Sequence, residues 1–120
     1  MCFTNFVSET KDKIYDMNFL SRLFGGGTPD VDYKELVANG AIILDVRSKE
    51  EYRDGGVKGS INIPLDQLGN NLNKLAKEKA IIVYCASGMR SSAACTFLKK
   101  NGYASVYNGR NASSLIYRLQ

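Results

Sequence analysis

The chain has 120 residues, 44% of them apolar and 23% charged, with a net charge of +4. That length fits one domain with a single modest core, and that balance excludes a chain disordered throughout. Three scattered cysteines, no Cys-x-x-Cys pair and no histidine exclude a disulfide framework and a zinc site.

Residues 1–28 read as an extension and 29–120 as the domain. Within the extension, Met17, Leu20 and Phe24 share one helical face, and Gly25-Gly26-Gly27 ends that segment as a flexible link. A short helix packed loosely on its own domain is favoured over a docking or membrane-touching one, because eight residues with only Arg22 as a basic anchor bury little. Met17 is an alternative natural start. Asp30 is placed to cap a helix over 31–39, which Gly40 stops. The β-branched run 41–46 predicts a strand, and Ser48 and Glu51 have the spacing of a capping box opening the next helix. A short strand is expected at 61–63, closed by Pro64. Leu65, Leu68, Leu72 and Leu75 then recur at helical spacing, weakened by Gly69 and three asparagines. The apolar run 80–84 predicts a central strand. A helix over 91–101 follows, with Ser91, Ala94, Cys95 and Leu98 on one face, so Cys95 reads as core. Lys99 and Lys100 complement its C-terminus and Gly102 caps it. A last strand at 104–107 and a closing helix at 112–119 complete the pattern.

Strands alternating with helices imply parallel pairing with helices on both faces, and ligands in such sheets sit outside the carboxyl ends of the strands. Asp45, Arg47 and Cys85 fall at those ends. Cys85 enters a loop of small residues, Ala86-Ser87-Gly88, followed by Met89, Arg90 and a helix start. Loop N–H groups and a helix N-terminus favour an anion there, and the same field together with Arg90 favours thiolate over thiol. Cys85 therefore reads as a nucleophile. Asp45 is placed either to accept loop N–H bonds or to pair with an arginine. Arg47 is expected to pair with a helix carboxylate in preference to attracting an anionic donor. Ser91 and Ser92 are expected to cap the helix.

Asp45-Val46-Arg47, Glu51-Tyr52, Gly59-Ser60-Ile61-Asn62-Ile63-Pro64 and the loop from Cys85 to Arg90 resemble the rhodanese domain in order and spacing, over 31–106. The resemblance implies a three-layer α/β rhodanese-like domain with a central, mostly parallel sheet flanked by helices. It implies sulfane sulfur carried as a persulfide on Cys85, with Ala86, Ser87, Gly88, Met89 and Arg90 as the substrate- and anion-binding loop, Asp45 and Arg47 in support, and no metal or organic cofactor. Three departures stand out. Gly55-Gly56 replaces the Gly-His common in the family, where the histidine is mainly structural, so local hydrogen bonding is expected to be lost and chemistry kept. Ala86 cannot supply the arginine contact often found in thiosulfate-using members, which argues against thiosulfate as the physiological donor. Asn108-Gly109-Arg110 replaces a Gly-Gly turn and is expected to reshape the pocket rim.

The favoured function is that of a sulfurtransferase or sulfane-sulfur carrier, fed by a small sulfur-containing anion or a persulfide. Acceptors would be a small thiol, cyanide or a protein thiol. The alternative is a noncatalytic binding module. A phosphatase or arsenate reductase ranks lower, since related phosphatases place one more residue between cysteine and arginine. Residues 1–28 carry Lys11, Lys13 and Arg22 against Glu9, Asp12 and Asp16, so the positive excess lies in the domain, where it attracts small anions or an acidic partner. No nucleic-acid motif is present. Free cysteines, no long apolar run and no secretory signal pattern lead to an expectation of a cytoplasmic protein without stable membrane insertion.

Overall fold

Two apolar runs build the centre of the sheet. In the computed structural model, which describes residues 31–120, β1 (Ile42–Asp45) lies parallel to β3 (Ile81–Cys85), with Ile42 opposite Ile81 and Asp45 opposite Tyr84. β2 (Ile61–Asn62) pairs with the outer edge of β1, and β4 (Val106–Asn111) with the outer edge of β3. The order is β2-β1-β3-β4 and every pairing is parallel. All five residues of β3 are buried, as a central parallel strand covered on both faces requires.

Successive residues of β3 point to opposite faces. Ile81, Val83 and Cys85 share a core with Leu44, Leu68, Leu75, Ala94, Cys95 and Leu98. The last three come from α3 (Met89–Lys100), and with Ser91 they are its buried residues, the stripe that the periodicity predicts. Ile82 faces the other way, toward Leu115 of α4 (Ala112–Arg118). Gly109 separates them so closely that an added Cβ would lie 3.1 Å from Ile82 and 3.3 Å from Leu115. The expected α/β architecture with helices on both faces is therefore what forms.

The remaining helices are α1 (Tyr33–Ala38) and α2 (Lys49–Arg53). In α2 the capping box closes in both directions, with Glu51 N–H donating to Ser48 Oγ and Ser48 N–H to Glu51 Oε1. Several bounds differ from expectation. The leucine-spaced segment 65–75 forms two 3₁₀ turns, Leu65–Asn70 and Leu72–Lys74, in place of a helix. Glycine costs about 1 kcal/mol inside a helix and asparagine also disfavours it. The Tyr103 hydroxyl, 2.9 Å from the Leu72 carbonyl and 2.8 Å from that of Leu75, holds the shorter turns in place. Helix α3 opens two residues early, at Met89, and β4 runs on to Asn111, whose side chain then caps α4 by accepting the Ser114 N–H at 2.8 Å.

Tyr33–Gln120 forms one compact unit. The amphipathic segment 17–24, the glycine link, the 28/29 boundary and the Asp30 cap lie outside the described residues. No helix among the described residues is long and apolar enough to cross a membrane.

Candidate active site

Cys85 is the last residue of β3, and the chain must turn sharply to enter α3. Gly88 makes that turn at φ 100°, a left-handed conformation suited to glycine, and occupies the N-cap of α3. The turn folds the loop amides back over the sulfur. Gly88 N–H donates to Cys85 Sγ at 2.9 Å and Ser91 N–H at 3.3 Å, with Ser91 Oγ at 3.6 Å. Burial, the largest single influence, pushes the Cys85 thiol up. Hydrogen bonding with the Ser91 side chain and from the N–H groups of Ser91, Gly88 and Ser87 outweighs it, and the net direction is down from the usual thiol value. Arg90 interacts with the Cys85 charge as well. Its guanidinium is held by Glu51, at 2.8 Å and 3.2 Å, across the loop. That hydrogen bond and the capping box bring the Glu51 carboxyl down to about 2. The cation expected to favour the thiolate is thus partnered by a carboxylate 39 positions away.

Cys85 itself is completely buried and belongs to the core cluster. Ala86, Ser87 and Met89 form an exposed crown above it, with Met89 79% exposed.

Ser91 is the site residue that sequence reasoning missed. Gly88 takes the cap position, which frees Ser91 to face inward. It is fully buried, with Oγ 2.7 Å from Asn108 Oδ1 and 3.0 Å from the Gly88 carbonyl. Asn108 Oδ1 also accepts the Arg110 N–H at 2.9 Å. A polar chain therefore runs from the Cys85 sulfur through Ser91 and Asn108 to the backbone of Arg110. The available signal was a serine heading an otherwise apolar helical stripe, since buried hydroxyls need partners.

Asp45 and Arg47 meet each other. Asp45 is fully buried and accepts the Arg47 N–H at 2.8 Å and its guanidinium at 2.7–3.1 Å. Of the two roles open to Asp45, arginine pairing is the one that forms. The helix-carboxylate partner expected for Arg47 is corrected to this strand-end carboxylate. Arg47 Nη2 also donates to the Gly55 carbonyl at 2.7 Å, tying β1 to the 55–57 turn.

That turn carries hydrogen bonds with two tyrosines. Val57 N–H donates to the Tyr84 hydroxyl at 2.8 Å, and the Tyr52 hydroxyl donates to the Ser60 carbonyl at 2.6 Å. The Tyr52 ring lies across Gly56, where an added Cβ would come within 2.7 Å of it and 3.1 Å of the Tyr84 hydroxyl. Two tyrosines thus crowd and hydrogen-bond the turn at Gly55-Gly56.

The rim is reshaped at β4. Val83 pairs with Asn108 but Tyr84 pairs with Arg110, so Gly109 is the extra residue of a β-bulge. Arg110 follows at φ 72°, the sole non-glycine residue with positive φ among those described. A left-handed conformation costs such a residue roughly 1–2 kcal/mol.

A central parallel strand ending in a hydrogen-bonded cysteine beneath a glycine-capped helix start defines a cysteine-loop α/β domain. Within that class the assignment is specific. The chain belongs to the rhodanese-like domain family, whose model matches residues 30–112. It is 38% identical over 68 residues to the uncharacterized protein YqhL of Bacillus subtilis (57% of this chain, 54% of that protein). It is 29% identical over 69 residues to a sulfurtransferase of Allochromatium vinosum (58% and 64%). Among solved structures it is similar to a rhodanese with anions from E. coli, at TM-score 0.59 and 31% identity, over 62% of this chain and 91% of that one. The matches span less than two thirds of these two curated relatives. Relatives named sulfurtransferase make this a family of sulfurtransferase type.

Proposed function

We propose that this domain transfers sulfane sulfur through a persulfide on Cys85, in the aqueous cytoplasm and without a metal or organic cofactor. The observation that carries the reading is the convergence of two backbone N–H groups on Sγ, which supports a stabilised thiolate. In the first half-reaction the thiolate attacks the outer sulfur of a donor R–S–SH. A Cys85 S–S bond forms, the donor S–S bond breaks, and RS⁻ departs. In the second, an acceptor thiolate or cyanide attacks the outer sulfur and Cys85 leaves again as thiolate. Each half moves one sulfur atom with its bonding pair accounted for, and one covalent intermediate links them, so kinetics should be ping-pong. Ala86 leaves the loop without a cation of its own, which supports persulfide donors over thiosulfate. A protein thiol is a candidate acceptor, facing the exposed crown at Ala86, Ser87 and Met89.

The complete burial of Sγ favours a second reading, a noncatalytic binding module that keeps the cysteine as core. Intact mass spectrometry after incubation with a small-thiol persulfide separates the two. Sulfur transfer adds the mass of one sulfur atom, removable by cyanide, absent in Cys85→Ser and retained in Cys95→Ser. A folded wild type that gains no sulfur from any of several persulfides supports the binding module and ends the transfer reading.

A further inference from the structure

Arg110 occupies a position that its backbone disfavours, and its place beside the loop gives that a use. The bulge at Gly109 turns Arg110 toward the start of α3. A methyl built on Gly88 would touch Arg110 Cα and Cβ at 3.8 Å and Cγ at 4.0 Å. Its N–H is fixed by Asn108 Oδ1, the same atom that anchors Ser91 against Cys85. The other guanidiniums near the site are taken, Arg90 by Glu51 and Arg47 by Asp45. Among the described residues no carboxylate pairs with Arg110, and it is exposed. An exposed arginine, whose charge also acts on the Tyr33 hydroxyl, thus has its Cα, Cβ and Cγ beside the loop, on a backbone that a glycine would occupy with less strain. Arginine forks suit planar oxyanions in particular.

We propose that Arg110 is the specificity-determining residue for the donor, selecting sulfane-sulfur compounds whose leaving group carries an oxyanion. Built on the sulfur-transfer reading above, this assigns to β4 the cation that Ala86 denies to the loop. The carboxylate of a thiol persulfide and the sulfonate of thiosulfate share the required chemistry. The transferred sulfur is attacked by Cys85 while the leaving thiolate or sulfite stays on Arg110.

The test compares donors matched in size but not in charge, 3-mercaptopropionate persulfide and 2-mercaptoethanol persulfide, with thiosulfate as a third arm. Initial rates of single-sulfur addition to the full chain are measured for wild type, R110K and R110M. The ratio of kcat/KM for the carboxylate donor over the neutral one should fall at least tenfold in R110M, mainly through KM, with R110K between. A parallel fall for thiosulfate extends the site to sulfonates, and a thiosulfate rate indifferent to R110M restricts it to carboxylates. An unchanged donor ratio in R110M overturns the proposal. Calorimetric binding of 3-mercaptopropionate and of thiosulfate to Cys85→Ser, with and without R110M, separates the two readings. Anion binding that R110M weakens tenfold, with no sulfur adduct on wild type, sinks sulfur transfer and upholds the anion site. Sulfur adducts with anion binding indifferent to R110M sink the role of Arg110 and uphold transfer.

Discussion

Replacing Arg110 by glycine should make the domain more stable, although it removes a side chain beside the Cys85–Arg90 loop. At φ 72° arginine bears the left-handed penalty, about 1–2 kcal/mol, which glycine escapes. Against this, glycine gives the unfolded chain more freedom, an offset of about 0.4–1 kcal/mol. The backbone bond from residue 110 to Asn108 Oδ1 survives either way, since it uses the N–H. The net gain is about 0.5–1 kcal/mol, or roughly 2–8 °C in Tm for a domain of this size. Arg110→Ala is the matched control. It deletes the same guanidinium but keeps a Cβ in the left-handed conformation, so the gain should be missing. Thermal and urea denaturation of the three full-length proteins, followed by circular dichroism, reads the order directly. Glycine at or below alanine would refute the strained bulge, and with it the physical reason for treating Arg110 as more than a surface residue.

Ser91→Ala removes a hydrogen bond that lowers the Cys85 thiol, so the pH midpoint of iodoacetamide labelling at Cys85 should move up. An unmoved midpoint would show that the amides act alone. Glu51→Gln keeps the capping box but discharges the pair with Arg90, and should cost about 0.2–1 kcal/mol at pH 7. Because the Glu51 carboxyl is depressed to about 2 in the folded state, its contribution is complete above about 4.5 and fades as pH falls toward 2. Urea titrations of the two proteins should therefore converge in acid, and a constant gap would exclude the ion pair as its source. Gly56→Ala should cost about 1–3 kcal/mol by overpacking against Tyr52, and Tyr52→Ala should remove most of that penalty in the double variant. Additive effects would place the strain elsewhere.

The parts of this molecule legible from sequence were those set by local pattern. The buried stripe of α3 follows from spacing alone, and the Ser48–Glu51 box from two residues three apart. The strand-end position of Cys85 follows from the run before it. What stayed hidden depends on tertiary neighbours. Arg90 and Glu51 lie 39 positions apart, so nothing local said that the loop cation was already engaged. Ser91 looks like a cap until Gly88 takes that place at φ 100°. Asn108, Gly109 and Arg110 have weak strand propensity, yet pairing with β3 carries β4 through them, bulge included. At 65–75 the leucines promised a helix, and the interruptions at Gly69 and the asparagines decided for 3₁₀ turns.

Cys85 is at once a wall of the core and the floor of its own cradle. A carrier thiol standing free on a surface would present nearly the same outline empty or loaded. Here the Gly88 and Ser91 amides rest on Sγ and the residue is closed off from solvent. On the sulfur-transfer reading, donor and acceptor alike reach Sγ past the Ala86–Ser87–Gly88 arch, which stands between the buried sulfur and solvent.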